Sequence, residues 1–132
     1  MNIFQQFFAY LRLREAVRKA DQAYRNTGTR HYVMPGANRT LIVMDRKNFR
    51  ILKRKGYIPS KAMTHDAVLE SFYFTPHRDG SGWLTETDRR KKVTQYYSWY
   101  AAQLKAEKEK QKAEQEKKKT DKRKLKLKKK TR

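Results

Sequence analysis

The three histidines are the side chains of this sequence best suited to bind a metal ion or transfer a proton. They are His31, His65 and His77, and the chain has no cysteine. No two of them lie four residues apart, the spacing that places two ligands on one face of a helix. A metal site would therefore need carboxylates from distant parts of the chain. We predict that the protein uses no metal and no cofactor.

Two short motifs after residue 76 look like fragments of phosphate-handling enzymes. Residues 77–79 read His-Arg-Asp, as in the catalytic loop of protein kinases, but the glycine-rich phosphate loop and the paired lysine of a kinase are missing. Residues 80–82 read Gly-Ser-Gly, without the lysine of a Walker A motif. Serine, histidine and aspartate occur without a nucleophile elbow. We interpret residues 76–82 as a flexible loop and predict that the protein is not an enzyme.

Positive charge is the dominant chemical property of the chain. It has 34 Lys and Arg against 13 Asp and Glu, a formal net charge of +21 over 132 residues. Residues 1–104 have 19 basic and 8 acidic residues, whereas residues 105–132 have 15 basic and 5 acidic residues. Such an excess favours contact with a polyanion, most simply the phosphate backbone of DNA or RNA.

Two clusters hold the cations that we expect to contact phosphates. The first is a predicted short helix with Arg46, Lys47, Arg50, Lys53, Arg54 and Lys55. The second is the end of the chain, with Lys122, Arg123, Lys124, Lys126, Lys128, Lys129, Lys130 and Arg132. If 6–10 of these charges met phosphates, binding would weaken by roughly 10³- to 10⁵-fold between 50 and 200 mM salt. Non-specific phosphate contact does not distinguish DNA from RNA.

The first 25 residues predict one long amphipathic helix. Ile3, Tyr10, Val17 and Tyr24 recur every seven residues, so a helix over residues 3–25 would place them on one stripe. Four further apolar residues widen this stripe in the first turns, namely Phe4, Phe7, Phe8 and Leu11. They belong either to the core or to a contact with another subunit or a membrane surface. Gly28 supplies a helix stop.

The next segment predicts two strands followed by the basic helix. Residues 31–34 and 39–44 have strand composition and are joined by the turn residues Pro35 and Gly36, and we expect the second strand to be well buried. Asp45 can cap a helix over residues 45–55, and Gly56 can end it in a left-handed conformation. Tyr57 and Ile58 would then close the helix end by an apolar contact.

This stretch also resembles proteins of a known group. Residues 30–35, 41–45 and 49–58 are similar to small basic proteins encoded by tailed bacteriophages of gut bacteria, the crAss-like phages among them. The resemblance covers residues 30–58 and includes no catalytic motif. It implies a virion component or a small DNA-associated phage factor, and it transfers no functional residue to this chain.

The rest of the chain predicts a short helix, a strand and a second long helix. Residues 64–70 allow one or two helical turns, residues 71–75 form a strand, and residues 83–85 return as a further strand. Thr85 or Thr87 would cap the final helix. Its predicted packed face consists of Val93, Tyr96, Tyr97, Tyr100 and Leu104. Trp99 lies off that face and is a candidate anchor for another subunit.

These elements predict an α+β fold with a polybasic extension. Hydrophobic residues are 37% and charged residues 36% of the chain, against roughly 45–50% and 25% in an ordinary domain. We therefore expect a small α+β head over residues 1–104, a solvent-exposed charged helix over 105–119 and a disordered polybasic tail over 120–132.

Three functions remain compatible with the sequence. The first is a structural or assembly protein, a phage capsid, portal or head-tail connector component that binds other structural subunits and nucleic acid. The second is a freestanding, ribosome-associated or nucleoid-type nucleic-acid-binding protein. The third and least expected is a membrane-surface basic protein, which would insert Phe4, Phe7, Phe8 and Leu11 and place lysines on anionic headgroups. No run of about 18 apolar residues and no secretory signal is present, so we expect neither a membrane span nor secretion. We expect the protein in a virion or in the cytoplasm of the host cell.

Overall fold

The fold consists of four helices and a small sheet among the residues described. The computed structural model describes residues 1–57 and 64–130. In chain order the elements are α1 (Ile3–Thr27), β1 (His31–Pro35), a 3-10 turn (Ala37–Arg39), β2 (Leu41–Asp45), α2 (Arg46–Arg54), α3 (Thr64–Glu70), β3 (Tyr73–Phe74) and α4 (Glu86–Lys130). They form two compact units, Met1–Tyr100 and Ala101–Arg132. The predicted α+β class is confirmed.

Helix α1 has a well-defined start and end. The Asn2 side chain accepts a hydrogen bond from the Gln5 backbone N–H at 2.8 Å, and the Gln5 side chain accepts one from the Asn2 N–H at 3.0 Å. This capping box satisfies two amides that would otherwise lack partners. At the other end Gly28 takes a left-handed conformation, with φ of 70°, as the sequence predicted.

The buried face of α1 differs from the predicted stripe. The buried residues are Ala9, Leu13, Ala16 and Ala20, which recur every three or four residues. Three of the four are alanines, so the helix axis can approach the sheet closely. Ile3 and Tyr10 of the predicted stripe are exposed. The heptad pattern located the helix correctly and its packed face only in part.

Strand β1 lies in the middle of the three-stranded antiparallel sheet, whose order is β2-β1-β3. Val33 is paired with Val43 of β2 and with Tyr73 of β3. Residues 31–34 of β1 are buried, whereas Met44 is the only buried residue of β2. The expectation of a well-buried second strand is therefore wrong. An edge strand keeps one side open to solvent even when both of its faces are partly covered.

The two faces of the sheet pack against different helices. Val33 contacts Ala16 and Ala20 of α1. Because successive side chains of a strand point to opposite faces, Tyr32 and Met34 lie on the other face. There they pack with Met44, Phe49 and Phe74, together with Ala67 of α3. The sheet is thus covered by α1 on one face and by α2 and α3 on the other.

Helix α2 begins and ends where the sequence predicted. The Asp45 carboxylate accepts a hydrogen bond from the Asn48 N–H at 2.8 Å. At the end, the N–H of Tyr57 donates to the Leu52 carbonyl at 3.0 Å and that of Gly56 to the Lys53 carbonyl at 3.2 Å, the Schellman pattern. Gly56 has φ of 82°. Tyr57 remains 77% exposed, so the expected apolar closure by its side chain is absent. Ile58 lies outside the described residues.

The segment between β3 and α4 is a loop instead of a returning strand. Trp83 is 64% exposed, and the Thr85 hydroxyl accepts a hydrogen bond from the Asp88 N–H at 3.2 Å. Thr85 is therefore the cap of α4, one of the two alternatives that the sequence left open. The strand predicted over residues 83–85 is wrong: the hydroxyl of Thr85 caps α4, and its carbonyl accepts the first helical hydrogen bond from the Arg89 N–H at 2.8 Å.

Helix α4 extends through nearly all of the basic C-terminal segment. It continues to Lys130, so residues 120–130, expected to be disordered, are helical in the structure. Lysine, leucine and glutamine have good helix propensity, and no glycine or proline interrupts residues 105–130. Thr131 and Arg132 lie outside the described residues. Among the described helices, none is long and apolar enough to span a membrane.

Candidate polyanion-binding and docking surfaces

The basic face of α2 is held to the fold by two apolar side chains. Phe49 is buried and Leu52 partly buried against the sheet and α3. This anchoring turns most of the helix circumference outward. Of the five cations in α2 and Lys55, which directly follows it, five are exposed and Lys53 is half-buried. We call these six the α2 cations: Arg46, Lys47, Arg50, Lys53, Arg54 and Lys55.

The α2 cations have no acidic partner within the described part of the chain. Asp45 is the only acidic residue over 45–55, and its carboxylate caps the helix. The ion pairs of the structure lie elsewhere, for example between Arg18 and Glu15 at 3.0 Å. Unpaired cations on one helix face can release their counterions when they meet phosphates. The predicted polyanion-binding residues of α2 are thus brought together on one accessible surface.

The second predicted cluster lies in the last turns of α4. The exposed cations there are Lys122, Arg123, Lys124, Lys126 and Lys128. Lys129 and Lys130 belong to the helix, but their side chains are not among those described. Lys122 and Lys126 are four residues apart and share one helix face, whereas Lys124 and Lys128 share another. The cations therefore surround this end of α4 instead of forming a single stripe.

Large apolar side chains are exposed on α1, on the side opposite to its packed face. Phe7 lies nine residues before Ala16, and Leu11 lies nine residues before Ala20. At about 100° per residue, each pair therefore lies on opposite sides of the helix. The exposed side chains are between 39% and 76% accessible. We call the set the α1 aromatic face: Ile3, Phe4, Phe7, Phe8 and Leu11. Of the alternatives that the sequence left open for these side chains, packing in the core of the described residues is therefore excluded.

Trp99 packs within the chain. Its ring lies 5.3 Å from that of Phe72 and 6.1 Å from that of Tyr96, between ring centres. Tyr96 is fully buried, and its hydroxyl donates to the Ala9 carbonyl at 2.7 Å, which joins α4 to α1. The prediction that Trp99 lies away from the packed face is therefore wrong. Because the buried Phe72 packs against α4, the packed face of that helix is wide enough to include Trp99.

The enzyme-like motifs have structural roles where they are described. Asp79 accepts hydrogen bonds from the backbone N–H and the hydroxyl of Ser81, at 3.0 and 2.6 Å, and these bonds lower the pKa of its carboxyl group.

His31 is buried, with Nδ1 2.8 Å from the Thr29 carbonyl. Over residues 1–57 and 64–130, no three histidine or acidic side chains converge as metal ligands would. The side chain of His65 is not among those described.

A buried lysine was missed by the sequence analysis. Lys92 is 9% exposed, and its ammonium group donates to the carbonyls of Val68 and Ser71 at 2.6 and 2.7 Å. Burial lowers the pKa of Lys92, and the charge of Asp88 opposes that shift. No local signal distinguishes Lys92 from the neighbouring cations of residues 89–91. Its role is structural, since it binds a carbonyl in the last turn of α3 and the carbonyl of Ser71, which directly follows that helix.

Comparison with known proteins gives no relative. No protein-family model, curated protein or solved structure matches this chain. We therefore infer a function from the charge and exposure of the surfaces described above.

Proposed function

We propose that this protein is a non-enzymatic assembly protein that binds the phosphate backbone of nucleic acid and docks onto other structural protein subunits. The setting that we favour is a bacteriophage virion, at the capsid, portal or head-tail connector region. The phage setting rests on the resemblance of residues 30–58. The binding functions rest on the charge and exposure of the two surfaces.

One observation carries the proposal: the same folded unit exposes the unpaired α2 cations and the α1 aromatic face. A freestanding nucleic-acid-binding protein needs the cations alone. A monomeric protein rarely exposes several large aromatic side chains together, since covering them releases about 25 cal/mol per Å² of apolar surface. The aromatic face therefore favours an assembly protein over the freestanding alternative.

Nucleic acid fits the charge distribution better than an acidic protein does. Exposed cations occur both on α2 and around the end of α4. A phosphate backbone presents a regular row of negative charges to each cluster, and no base contact is required for such binding. A protein that contacts packaged or transiting nucleic acid must bind its phosphate backbone whatever the base sequence.

The assembly function is tested by the oligomeric state of the nuclease-treated protein. We expect defined oligomers by light scattering that persist in high salt, because an apolar contact is not screened by ions. The double variant Phe7→Ser/Phe8→Ser should dissociate them. Leu125→Ser/Leu127→Ser is the matched control, since these leucines are also exposed but belong to the end of α4.

A different result would identify one of the alternatives. A monomer at every salt concentration would contradict the assembly function and favour the freestanding nucleic-acid-binding protein. Sedimentation of the nucleic-acid-free protein with anionic liposomes, abolished by Phe7→Ser/Phe8→Ser, would instead make the α1 aromatic face a membrane-surface contact.

A further inference from the structure

A cavity of about 250 Å³ opens between α1, the start of β3 and the first turns of α4. Its floor is apolar: Leu13 and Phe72 are buried, and Val17 and Val93 are partly buried. Ligand pockets for drug-sized molecules measure roughly 300–1,000 Å³. This cavity is slightly smaller and therefore suits a single ring system better than a large cofactor.

Two tyrosines on different helices line the cavity. Tyr10 comes from α1 and is 48% exposed, and Tyr97 comes from α4 and is partly buried. Burial raises the pKa of Tyr97, and the nearby Tyr10 raises it further, which agrees with the proximity of the two side chains. Tyrosine rings that line an apolar cavity offer flat surfaces on which a planar ligand can stack.

Two arginines supply positive charge at the same cavity. Arg14 follows Tyr10 by one helical turn on α1, and Arg89 lies on α4 with its guanidinium 5.3 Å from the centre of the Tyr73 ring. The Tyr73 hydroxyl donates a hydrogen bond to the Asp21 carboxylate at 2.5 Å. Within the described residues, neither Arg14 nor Arg89 forms an ion pair with a carboxylate. Both remain able to bind an anion.

We propose that this cavity binds one base of single-stranded nucleic acid, with the neighbouring phosphates on Arg14 and Arg89. The inference rests on the proposed nucleic-acid binding and adds a preference for single strands. The base would stack on Tyr10 and Tyr97 above the apolar floor. A base of an intact duplex is already stacked and paired, so it would have to leave the duplex first, which costs free energy.

The combination of groups favours a nucleotide over other anions. An inorganic phosphate would leave the apolar floor and the tyrosine rings unused. An acyl chain with a carboxylate would use the floor and one arginine, but not the stacking surfaces. A nucleotide within a strand uses the floor, both rings and both cations, and stacking tolerates any base sequence.

The test uses the full chain and a single-stranded oligonucleotide that contains the fluorescent base 2-aminopurine. Stacking on tyrosine should quench its fluorescence. Tyr10→Ala should lose the quenching and weaken single-strand binding by roughly 5- to 150-fold, the range expected for one stacked base. Tyr57→Ala is the matched control, because Tyr57 is 77% exposed and does not line the cavity. Binding to the corresponding duplex should be unchanged in both variants.

The outcomes separate this inference from the proposed function. If Tyr10→Ala binds single strands as tightly as the unmodified protein while duplex binding persists, the cavity does not bind a base and the inference is wrong. If the unmodified protein binds neither single strand nor duplex at low salt, the proposed function fails as well. A third outcome is that a fatty acid displaces the quenched base of the oligonucleotide and a mononucleotide does not. That result would assign the cavity to acyl chains and overturn the inference.

Discussion

Lys92 shows how a charged residue can be part of a small core. Its ammonium group has two carbonyl partners, Val68 and Ser71, and it lies 5.4 Å from the centre of the Phe74 ring. Hydrogen bonds and the ring offset part of the cost of desolvating the charge. A cation is also favoured near the carbonyls that end a helix, and α3 ends at Glu70. Lys92 thus fixes α3 to α4.

The variant Lys92→Met should lower the free energy of unfolding by about 1–3 kcal/mol. It keeps the length of the side chain but leaves the Val68 and Ser71 carbonyls without a charged donor in a partly buried site. Lys91→Met is the control, because Lys91 is exposed and adjacent. Urea denaturation measures both variants. Equal stability of the two would show that Lys92 does not hold α3 in place.

Because the Tyr96 hydroxyl is buried, we expect the protein to lose stability at alkaline pH. Burial raises the pKa of its hydroxyl above the ordinary value of about 10. The unfolded chain therefore releases this proton first, so the contribution of Tyr96 is complete below about pH 10 and declines as the pH rises further. Near neutral pH, Tyr96→Phe should cost about 0.5–1.5 kcal/mol for the lost bond to Ala9.

The difference in stability between the unmodified protein and Tyr96→Phe should then decrease above about pH 10. Denaturant titrations at neutral and alkaline pH measure it. Tyr57→Phe is the control, since the exposed Tyr57 hydroxyl has similar surroundings in the folded and the unfolded chain. A difference that is independent of pH would contradict a buried, protonated Tyr96.

At the scale of elements, α2 combines local signals with a tertiary anchor. The Asp45 cap and the Gly56 end are determined by neighbouring residues, whereas Phe49 and Leu52 decide which side turns outward. The result is a short helix that presents its cations to solvent. Its contribution to binding can be measured separately from the total charge of the chain.

Neutralising three α2 cations should weaken duplex binding more than neutralising three cations elsewhere. We expect Arg46→Gln/Lys47→Gln/Arg50→Gln to reduce the slope of log K against log salt by about one unit for each cation that meets a phosphate. The control is Lys105→Gln/Lys108→Gln/Lys110→Gln on α4, which changes the net charge equally. Equal losses in the two variants would mean that only total charge matters.

At the scale of the whole molecule, charge is divided between two units that differ in construction. Met1–Tyr100 contains the sheet and its packed helices, and Ala101–Arg132 contains the remainder of α4. In the described part of the chain, the residues that pack on the two faces of the sheet all belong to the first unit. Residues 105–132 contribute 15 of the 34 basic residues and can bind a polyanion by charge alone.

Truncation after Leu104 should leave the first unit folded and remove most of the affinity for nucleic acid. Near-ultraviolet circular dichroism of residues 1–104 should match the full chain, because the aromatic cluster around Phe72 is retained. Oligonucleotide binding should weaken, with a smaller dependence on salt. Unchanged affinity at moderate salt would contradict a role for the C-terminal cations.

The sequence alone determined the features that depend on neighbouring residues. The position of α1, the β1–β2 pair, the Asp45 cap, the Gly56 end and the accumulation of cations all follow from spacings of a few residues. These signals were sufficient for the α+β class and for the α2 cations of the candidate site. Helix propensity also explains α4 up to Lys130, although high charge suggested disorder there.

The tertiary structure decided which of several apolar faces is buried. Helix α1 has two such faces, and the alanine face packs because small side chains allow close approach to the sheet, which leaves Phe7 and Phe8 exposed. The same packing buries Lys92, partly buries Trp99 and forms the cavity beside Tyr10. Periodicity shows that a face is apolar, but only the shape of the surface packed against it selects one face over another.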